Sequence, residues 1–493
     1  MNVQQIINGG LLVAGAMSVA LANAKPVALV EKLAPLGGLA LSSVLALLFP
    51  RLILILSLAA ISVGLDKFVA LSVAGFDMKT LTKLALIGAI GVNIIRFGHE
   101  KHISLPLVTI VFLIFVSMLV PGRHPALGDV QIIKTAIGLF LLFLFDYMRT
   151  NERDADRYLL FIAATPAALV VLGVFADAAG THPLFRREYT GALRLQGLSI
   201  PAYMAYTALI GLFVATIEVL RKGDRLFYAL AAVNLAIIFL TGARMGIFCA
   251  GLFGLSVFLF VRSATLTSRL KLNLAIVGGV LFTLLLVLYW PNLEARLAGR
   301  ESQDQSINLS GRGVIWEVFV AEIVEHPWLG RGMGANTLIV SEDVIEFAGT
   351  SAAHNEYLRL AVDVGILGTL ALIVSIGVWI RRRSRHLDRP ERFAISIFAV
   401  LLLIFSLTSN TLIALPGILL FFALSMMFKR PPLDPVPAVE PHEEAVLPRA
   451  GPRRPRLMPS ARYAIPSNRT VSSRTSLKGS TPQDVSDLFG STG

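Results

Sequence analysis

The stretch that decides the fold is AAHNEYLRLAVDVGILGTLALIV, residues 352–374. After two alanines it has three polar residues, His354, Asn355 and Glu356, and then continues as an apolar segment long enough to cross a bilayer. Polar residues at the start of a membrane span are costly unless they reach water or a partner. The stretch therefore predicts a membrane helix with a polar cluster at its mouth.

The same helix has a face of small residues. At about 100° per residue, Tyr357, Gly365 and Gly368 lie on or near the face below His354. Glycines on such a face allow a neighbouring helix to approach closely. We expect His354 at a tight helix crossing near the outer membrane boundary, although an interfacial histidine that merely begins a span would look similar.

The composition extends this interpretation to the whole chain. Of its 493 residues, 55% are hydrophobic and 15% are charged, so a soluble fold could not cover its surface with polar groups. The apolar runs are continuous rather than alternating, which excludes a β-barrel. The predicted fold class is an all-α polytopic membrane protein. Its only cysteine, Cys249, permits neither an internal disulfide nor a cysteine metal site.

The apolar runs predict twelve to fourteen transmembrane helices in a bundle over residues 1–428. The first run ends in Ala22-Asn23-Ala24, which resembles a signal-peptidase site, but no positive residue precedes it, so we treat it as a span. The basic segment RRRSRHLDRPER, residues 381–392, is expected on the cytoplasmic side. The loop 291–356 then faces the periplasm, and the Pro-, Arg- and Ser-rich residues 429–493 form a disordered cytoplasmic tail. The net charge of +12 indicates topology and not nucleic-acid binding.

The periplasmic loop contains its own helical pattern. Ser310 can cap a helix over GRGVIWEVFVAEIVEHP, residues 311–327, which Pro327 closes. The apolar residues recur at helical spacing, which predicts an amphipathic helix on the membrane surface or on the bundle, with Trp316 as an interfacial anchor. A second short helix is predicted within residues 337–348.

Three arginines stand in glycine-containing turns on the predicted outer side. They are Arg194 in GALRLQG, Arg244 in LTGARMG and Arg312 in LSGRG. Each alone could simply extend to the interface. Together, and in company with a histidine, they indicate a common anionic ligand, because the planar guanidinium forms bidentate bonds with phosphate.

These motifs resemble a known family, the O-antigen ligase and Wzy-type polysaccharide polymerase superfamily. HNEYLRLAVDVGILG, residues 354–368, matches its pattern of His-Asn, nine residues, Gly, two residues, Gly. SGRGVIWEVFVAEIVEHPWLGRGMG, LTGARMGIF and RLQGLSIP resemble its large periplasmic loop, its arginine-glycine turn and its arginine-bearing loop. In the last of these, Ser199-Ile200-Pro201-Ala202 departs from the Pro-Asn pair that family members often have.

The resemblance implies transfer of a glycan from an undecaprenyl-diphosphate donor, with no cofactor and no metal. It assigns the diphosphate to Arg244 and Arg312, with Arg194 assisting. His354 is then the base or positions the acceptor hydroxyl, and direct attack inverts the anomeric centre. In an alternative, His354 binds phosphate as an imidazolium and Glu356 is the base. Asn355 and Tyr357 complete the motif with the two glycines.

The sequence interpretation is therefore a glycosyltransferase of the bacterial inner membrane, active on the periplasmic side. It favours polymerisation of lipid-linked repeat units of an exopolysaccharide or O-antigen, with a chain-length regulator as a candidate partner. The alternative is an O-antigen ligase whose acceptor is lipid A–core. A flippase for lipid-linked sugars would place charges at mid-membrane, and a structural assembly protein would make the histidine and arginines incidental.

Overall fold

The computed structural model describes residues 49–64, 72–73, 76–187, 192–263, 265–273, 312–348 and 350–431, with isolated positions between 276 and 290. The predictions for the first apolar run and its possible cleavage site, for residues 291–311, and for the tail beyond residue 431 lie outside the described residues.

Thirteen α-helices have defined bounds within the described part of the chain. They are α1 Pro50–Val63, α2 Met78–Phe97, α3 Leu105–Leu119, α4 Asp129–Leu144, α5 Glu152–Ala178, α6 Pro201–Lys222, α7 Arg225–Leu240, α8 Arg244–Phe260, α9 Arg312–Glu325, α10 Glu342–Ala348, α11 Glu356–Arg383, α12 Arg389–Ser406 and α13 Leu415–Met427. Two antiparallel hairpins pair β1 Ser72–Val73 with β2 Phe76–Asp77, and β3 Phe185–Arg187 with β4 Leu193–Leu195. Single 3-10 turns lie at Phe145–Tyr147 and Ala335–Thr337.

The helices are apolar enough for a polytopic membrane protein. Five spans reach membrane length: α2, α4 with its 3-10 turn, α5, α6 and α11. Five more helices, α1, α3, α7, α8 and α13, are apolar but shorter. The mostly helical prediction is confirmed for the described residues, and the total of twelve to fourteen spans stays a prediction.

Helix α6 forms the centre of the bundle. It begins at Pro201, whose fixed φ suits the first helical position, and ends before Gly223 in the left-handed conformation. Nearly all of its residues are buried. Phe213 stacks on Phe398 of α12 with ring centroids 4.0 Å apart. Side chains and not solvent therefore surround α6, as expected for a central membrane helix.

Helix α11 is broken at Gly365, where φ is 71° and ψ is 177°. The loop that follows α9 takes over two of its backbone hydrogen bonds. The amide of Ile366 donates to the carbonyl of Pro327 at 2.8 Å, and the amide of Arg331 donates to the carbonyl of Val362 at 2.8 Å. Non-helical backbone at membrane depth persists only where such partners satisfy it.

The two glycines of the α11 face therefore meet different neighbours. A Cβ added at Gly330 would lie 2.6 Å from the amide nitrogen of Gly365, so loop backbone, not a neighbouring helix, approaches Gly365. At Gly368 the close neighbour across the contact is Leu113 of α3, 2.9 Å from an added Cβ. The expected helix crossing thus exists at Gly368, while Gly365 serves the break.

The helix predicted in the long loop is confirmed as α9. Ile315 and Phe319 on its inner face are fully buried, and α9 packs against α11. The second predicted helix is confirmed as α10. Of the two placements expected for α9, the structure shows packing on the bundle.

Candidate functional site

The polar residues before α11 are held in one conformation by a helix cap. The side-chain oxygen of Asn355 accepts hydrogen bonds from the amides of Tyr357 at 3.0 Å and Leu358 at 3.2 Å, which satisfies two free donors of the first turn. His354, half-buried, precedes this cap with φ at 49°. Residues other than glycine seldom adopt this conformation, and those that do gather at functional sites.

Helix α9 is attached to the segment that carries His354. The indole nitrogen of Trp316 donates to the carbonyl of Ala353 at 2.7 Å. Trp316 thus anchors α9 to the chain beside the histidine, whereas the sequence suggested an anchor in the membrane interface. Arg312 begins α9 one helical turn before Trp316. Its backbone is therefore near this contact, and its side chain lies outside the described residues.

A buried ionic chain runs along the first two turns of α11. Arg359 donates from Nε to Glu356 at 2.9 Å and from a terminal nitrogen to Asp363 at 3.1 Å. Asp363 also accepts from the backbone amide of Asn336 at 3.0 Å and from its side chain. The other oxygen of Glu356 accepts from the amide of Leu412 at 3.2 Å. The chain therefore fixes the start of α11 to the loop after α9 and to the segment between α12 and α13.

The sequence interpretation gave Arg359 and Asp363 no role. Their spacing was the available signal: Glu356, Arg359 and Asp363 stand three and four residues apart, the separations at which helical side chains meet. What the spacing could not show is that all three are buried. Buried charges have to be paired, so this chain is a requirement of the fold at this point.

Arg194 contacts the turn between α7 and α8 that ends at Arg244. Arg194 lies in β4 opposite Arg186 of β3. Its Nε donates to the carbonyl of Thr241 at 2.6 Å. Residues 241–244 are named here the arginine turn, because Arg244 ends the turn and begins α8. Arg244 is exposed and makes no hydrogen bond or ion pair with any residue that the structure describes.

The arginine turn stands beside the last turn of α12. Five residues into α8 from Arg244, the thiol of Cys249 lies 3.7 Å from the carbonyl of Leu401 in α12. Helices α8 and α12 run in opposite directions, and five residues correspond to about 7.5 Å. Arg244 is therefore level with the final residues of α12.

The start of α11 reaches the same turn of α12. The hydroxyl of Tyr357 donates to the carbonyl of Leu403 at 2.8 Å, and His354 stands three residues further out. His354 and the arginine turn thus border the end of α12. We call this part of the bundle the His354 end.

The start of α6 completes the His354 end. A Cβ added at Gly246 of α8 would lie 3.5 Å from the Cβ of Ala205, which places the two helix starts in contact. The hydroxyl of Tyr206 donates to the carbonyl of Thr411 at 3.4 Å, in the segment that also contacts Glu356. The structure thus gathers the predicted site residues Arg194, Arg244, His354 and Glu356 at one end of the bundle.

One group of side chains in the described residues has the spacing of a metal site. Ligand atoms of Glu322, Glu325 and His326 lie within 4.8 Å of one another. Arg331 already binds this group, with Nε 2.5 Å from Glu322 and a terminal nitrogen 2.8 Å from Nε2 of His326. The guanidinium of Arg331 therefore supplies the positive charge that a metal ion would supply to these side chains.

These features define a class: a helical membrane protein with a broken span, a helical loop docked on it, and cationic and imidazole side chains at one end of the bundle. Residues 227–373 match the family model described as O-antigen ligase, Wzy_C. This part of the chain, from α7 into the second half of α11, is therefore similar to an O-antigen ligase domain. A search of curated proteins found no match.

The matched range contains Arg244, Arg312 and His354 and leaves Arg194 outside it. Members of the family are O-antigen ligases or Wzy-type polymerases, enzymes that act on lipid-linked glycans. With the apolar helices, the match indicates a bacterial membrane protein.

Proposed function

We propose that this protein is a membrane glycosyltransferase that polymerises undecaprenyl-diphosphate-linked oligosaccharide repeat units on the periplasmic side of the inner membrane. One observation supports it above the others. Arg244, exposed and without a partner among the described residues, ends the turn that Arg194 contacts, and it is level with the last turn of α12, which Tyr357 of the His354 segment also contacts. An unneutralised guanidinium at the end of a membrane helix is suited to bind an anion.

The donor's leaving group explains why cations are needed. When the bond between the anomeric carbon and the diphosphate breaks, the electron pair and its negative charge go to the diphosphate. Fixed cations can stabilise this charge without moving, as preorganised electrostatic groups do in many enzymes. We assign this role to Arg244, to Arg312 at the start of α9, and to Arg194 in an assisting position.

The acceptor requires a group that takes or orients its hydroxyl proton. His354 is assigned that role. The alternative base, Glu356, is buried and its two oxygens already accept from Arg359 and from the amide of Leu412. These contacts support a positioning role for Glu356, in which it holds the start of α11 and thereby His354.

The proposed step balances as a direct displacement. The acceptor oxygen attacks the anomeric carbon, its proton passes to His354, and the diphosphate leaves on the opposite face toward the arginines. The product is one new glycosidic bond, with inverted configuration, and undecaprenyl diphosphate. The basic segment 381–392 lies at the other end of α11, which supports the periplasmic orientation of the His354 end.

Ligation of a finished glycan to lipid A–core is the second candidate, and the match to the O-antigen ligase family favours it. The chemistry at the donor is the same in both, and only the acceptor differs. A flippase is less well supported, because the residues assigned here gather at helix ends and not at mid-membrane.

The test is glycan transfer by the purified protein from a defined undecaprenyl-diphosphate oligosaccharide, in the presence of EDTA. Offering either a second lipid-linked oligosaccharide or lipid A–core as acceptor separates polymerisation from ligation. His354→Ala should abolish transfer, while His99→Ala, an exposed histidine elsewhere in the chain, should not. Wild-type turnover by His354→Ala would remove the histidine from the mechanism.

Arg244→Lys tests the diphosphate site. A lysine keeps the charge but loses the planar fork, so we expect at least a tenfold fall in turnover. Arg269→Lys, an exposed arginine after α8, is the matched control. Equal turnover by the two variants would contradict a bidentate contact with the donor.

A further inference from the structure

A groove of about 910 Å³ lies at the end of α11 remote from His354. It is formed by the end of α8, the end of α11 and the start of α12. The groove arginines that lie at the start of α12, Arg389 and Arg392, stand roughly 20–25 Å along that helix from its last residues at the His354 end. The cationic end of the groove is therefore separate from the candidate glycosyltransferase site. Five arginines line the groove: Arg262, Arg381, Arg385, Arg389 and Arg392.

The positive charges of the groove arginines are not neutralised by neighbouring carboxylates among the described residues. No carboxylate lines the groove, and none of the five arginines forms an ion pair with a described residue. Among the described residues, the only hydrogen bond that their guanidinium groups donate runs from Arg392 to the backbone carbonyl of Arg385 at 3.2 Å. Elsewhere at this end the buried arginines are paired: Arg221 meets Glu391 at 3.4 Å and Arg430 meets Glu218 at 2.5 Å.

Apart from Ser384 and Ser396, the rest of the groove is lined by residues without polar side chains, and it extends along the helices. On α12 it reaches from Arg389 to Ala399, which is about 15 Å of helix. Phe260 and Phe393 line its sides, with their rings 6.2 Å apart. At Gly377 of α11 an added Cβ would meet nothing within 4 Å, so the groove is open there. The groove thus joins a cationic mouth to an apolar channel in the direction of the bilayer core.

We propose that this groove binds an anionic phospholipid of the bilayer leaflet on its side of the membrane. The guanidinium groups hold the headgroup phosphate through charge-assisted bonds, and the acyl chains lie along the apolar channel. Basic pockets between membrane helices are suited to such headgroups. The length of the apolar channel favours a lipid over a free anion, because a free anion would leave the apolar surface of the channel uncovered.

Basic residues in a loop can also serve only to orient a membrane protein, with no bound ligand. Two arginines outside the groove provide a control for this alternative. Arg382 belongs to the same loop, is exposed, and does not line the groove. Arg225 at the start of α7 is likewise exposed and outside the groove. Arg225→Gln with Arg382→Gln removes the same charge as Arg385→Gln with Arg389→Gln.

The experiment measures lipid binding to the purified protein by native mass spectrometry, with cardiolipin, phosphatidylglycerol and phosphatidylcholine as probes. The two anionic lipids should bind the wild type more tightly than phosphatidylcholine. The Arg385/Arg389 double variant should lose about 25-fold in affinity, at roughly fivefold per arginine, and the Arg225/Arg382 control should lose little. Equal losses in the two double variants, or no preference for anionic lipid, would overturn the proposal.

A second variant tests the apolar channel without changing charge. Gly377→Leu should fill the open part of the groove and weaken lipid binding at least tenfold, while replacing a helical glycine leaves folding intact. Gly251→Leu on α8, where an added Cβ also meets nothing within 4 Å, is the matched control. Inorganic phosphate at millimolar concentration should not displace the lipid. Displacement by phosphate, or normal lipid binding by Gly377→Leu, would show a simple anion site.

Discussion

Replacing Gly365 by alanine should damage both the stability and the activity of the protein. At φ 71° and ψ 177°, this residue occupies backbone space that is essentially restricted to glycine. A Cβ there would also collide with the backbone of Trp328 and Leu329. The loop and α11 would therefore have to separate locally.

The magnitude follows from what that separation removes. Backbone strain in this region costs about 1–3 kcal/mol. Two backbone hydrogen bonds, from Ile366 to Pro327 and from Arg331 to Val362, contribute about 1 kcal/mol each. The expected loss is therefore about 3–5 kcal/mol, a large part of the stability of a typical domain.

The assay is thermal unfolding of the purified variant in detergent, combined with glycan transfer at a temperature where it remains folded. Gly377→Ala, on the same helix but in open space, should be neutral or slightly stabilising. If Gly365→Ala unfolds at the wild-type temperature and transfers glycan normally, the break in α11 is not what holds the loop in place.

Two further predictions concern the flanks of the bundle. Trp316→Phe removes the hydrogen-bond donor to the buried carbonyl of Ala353, so kcat should fall more than KM changes. The control is Trp328→Phe, which should have wild-type kcat because the Trp328 ring is exposed. Parallel changes in the two variants would contradict a role for the Trp316 contact. Burial lowers the pKa of Lys429 to about 7. The unfolded chain then binds more protons than the folded one between pH 7 and 10, so wild-type stability should rise across that interval. Lys429→Met should lack this part of the rise in thermal unfolding scans, and identical pH profiles in the variant and the wild type would contradict a lowered pKa for Lys429.

Local features of the site could be predicted from the sequence because they depend on neighbouring residues. Asn355 is a strong helix cap followed by an apolar run, and the start of α11 follows from that alone. The bounds of α9 follow from a regular apolar spacing closed by Pro327.

Other features depend on residues that are distant in the chain. The spacing of Arg359 and Asp363 was visible, but the bond between Asp363 and Asn336 depends on how the loop folds back over 27 residues. A glycine at position 365 is also compatible with an unbroken helix. The helix breaks there because the loop after α9 supplies hydrogen-bond partners for the backbone of α11, and the sequence does not show those partners. In the same way, the arginines of segment 381–392 predicted an orientation, while their division between a groove and an open surface depends on the packing of α8 against α12.

The break at Gly365 has a consequence for how substrates reach the histidine. Residues 327–331 replace part of the hydrogen bonding of a membrane helix, so lifting them would leave bare amides and carbonyls in apolar surroundings. This loop is consequently a fixed wall and not a lid. Under the proposed function, a lipid-borne sugar therefore has to reach His354 from a side of the bundle that this loop does not cover, and any gating of the site has to come from elements other than residues 327–331.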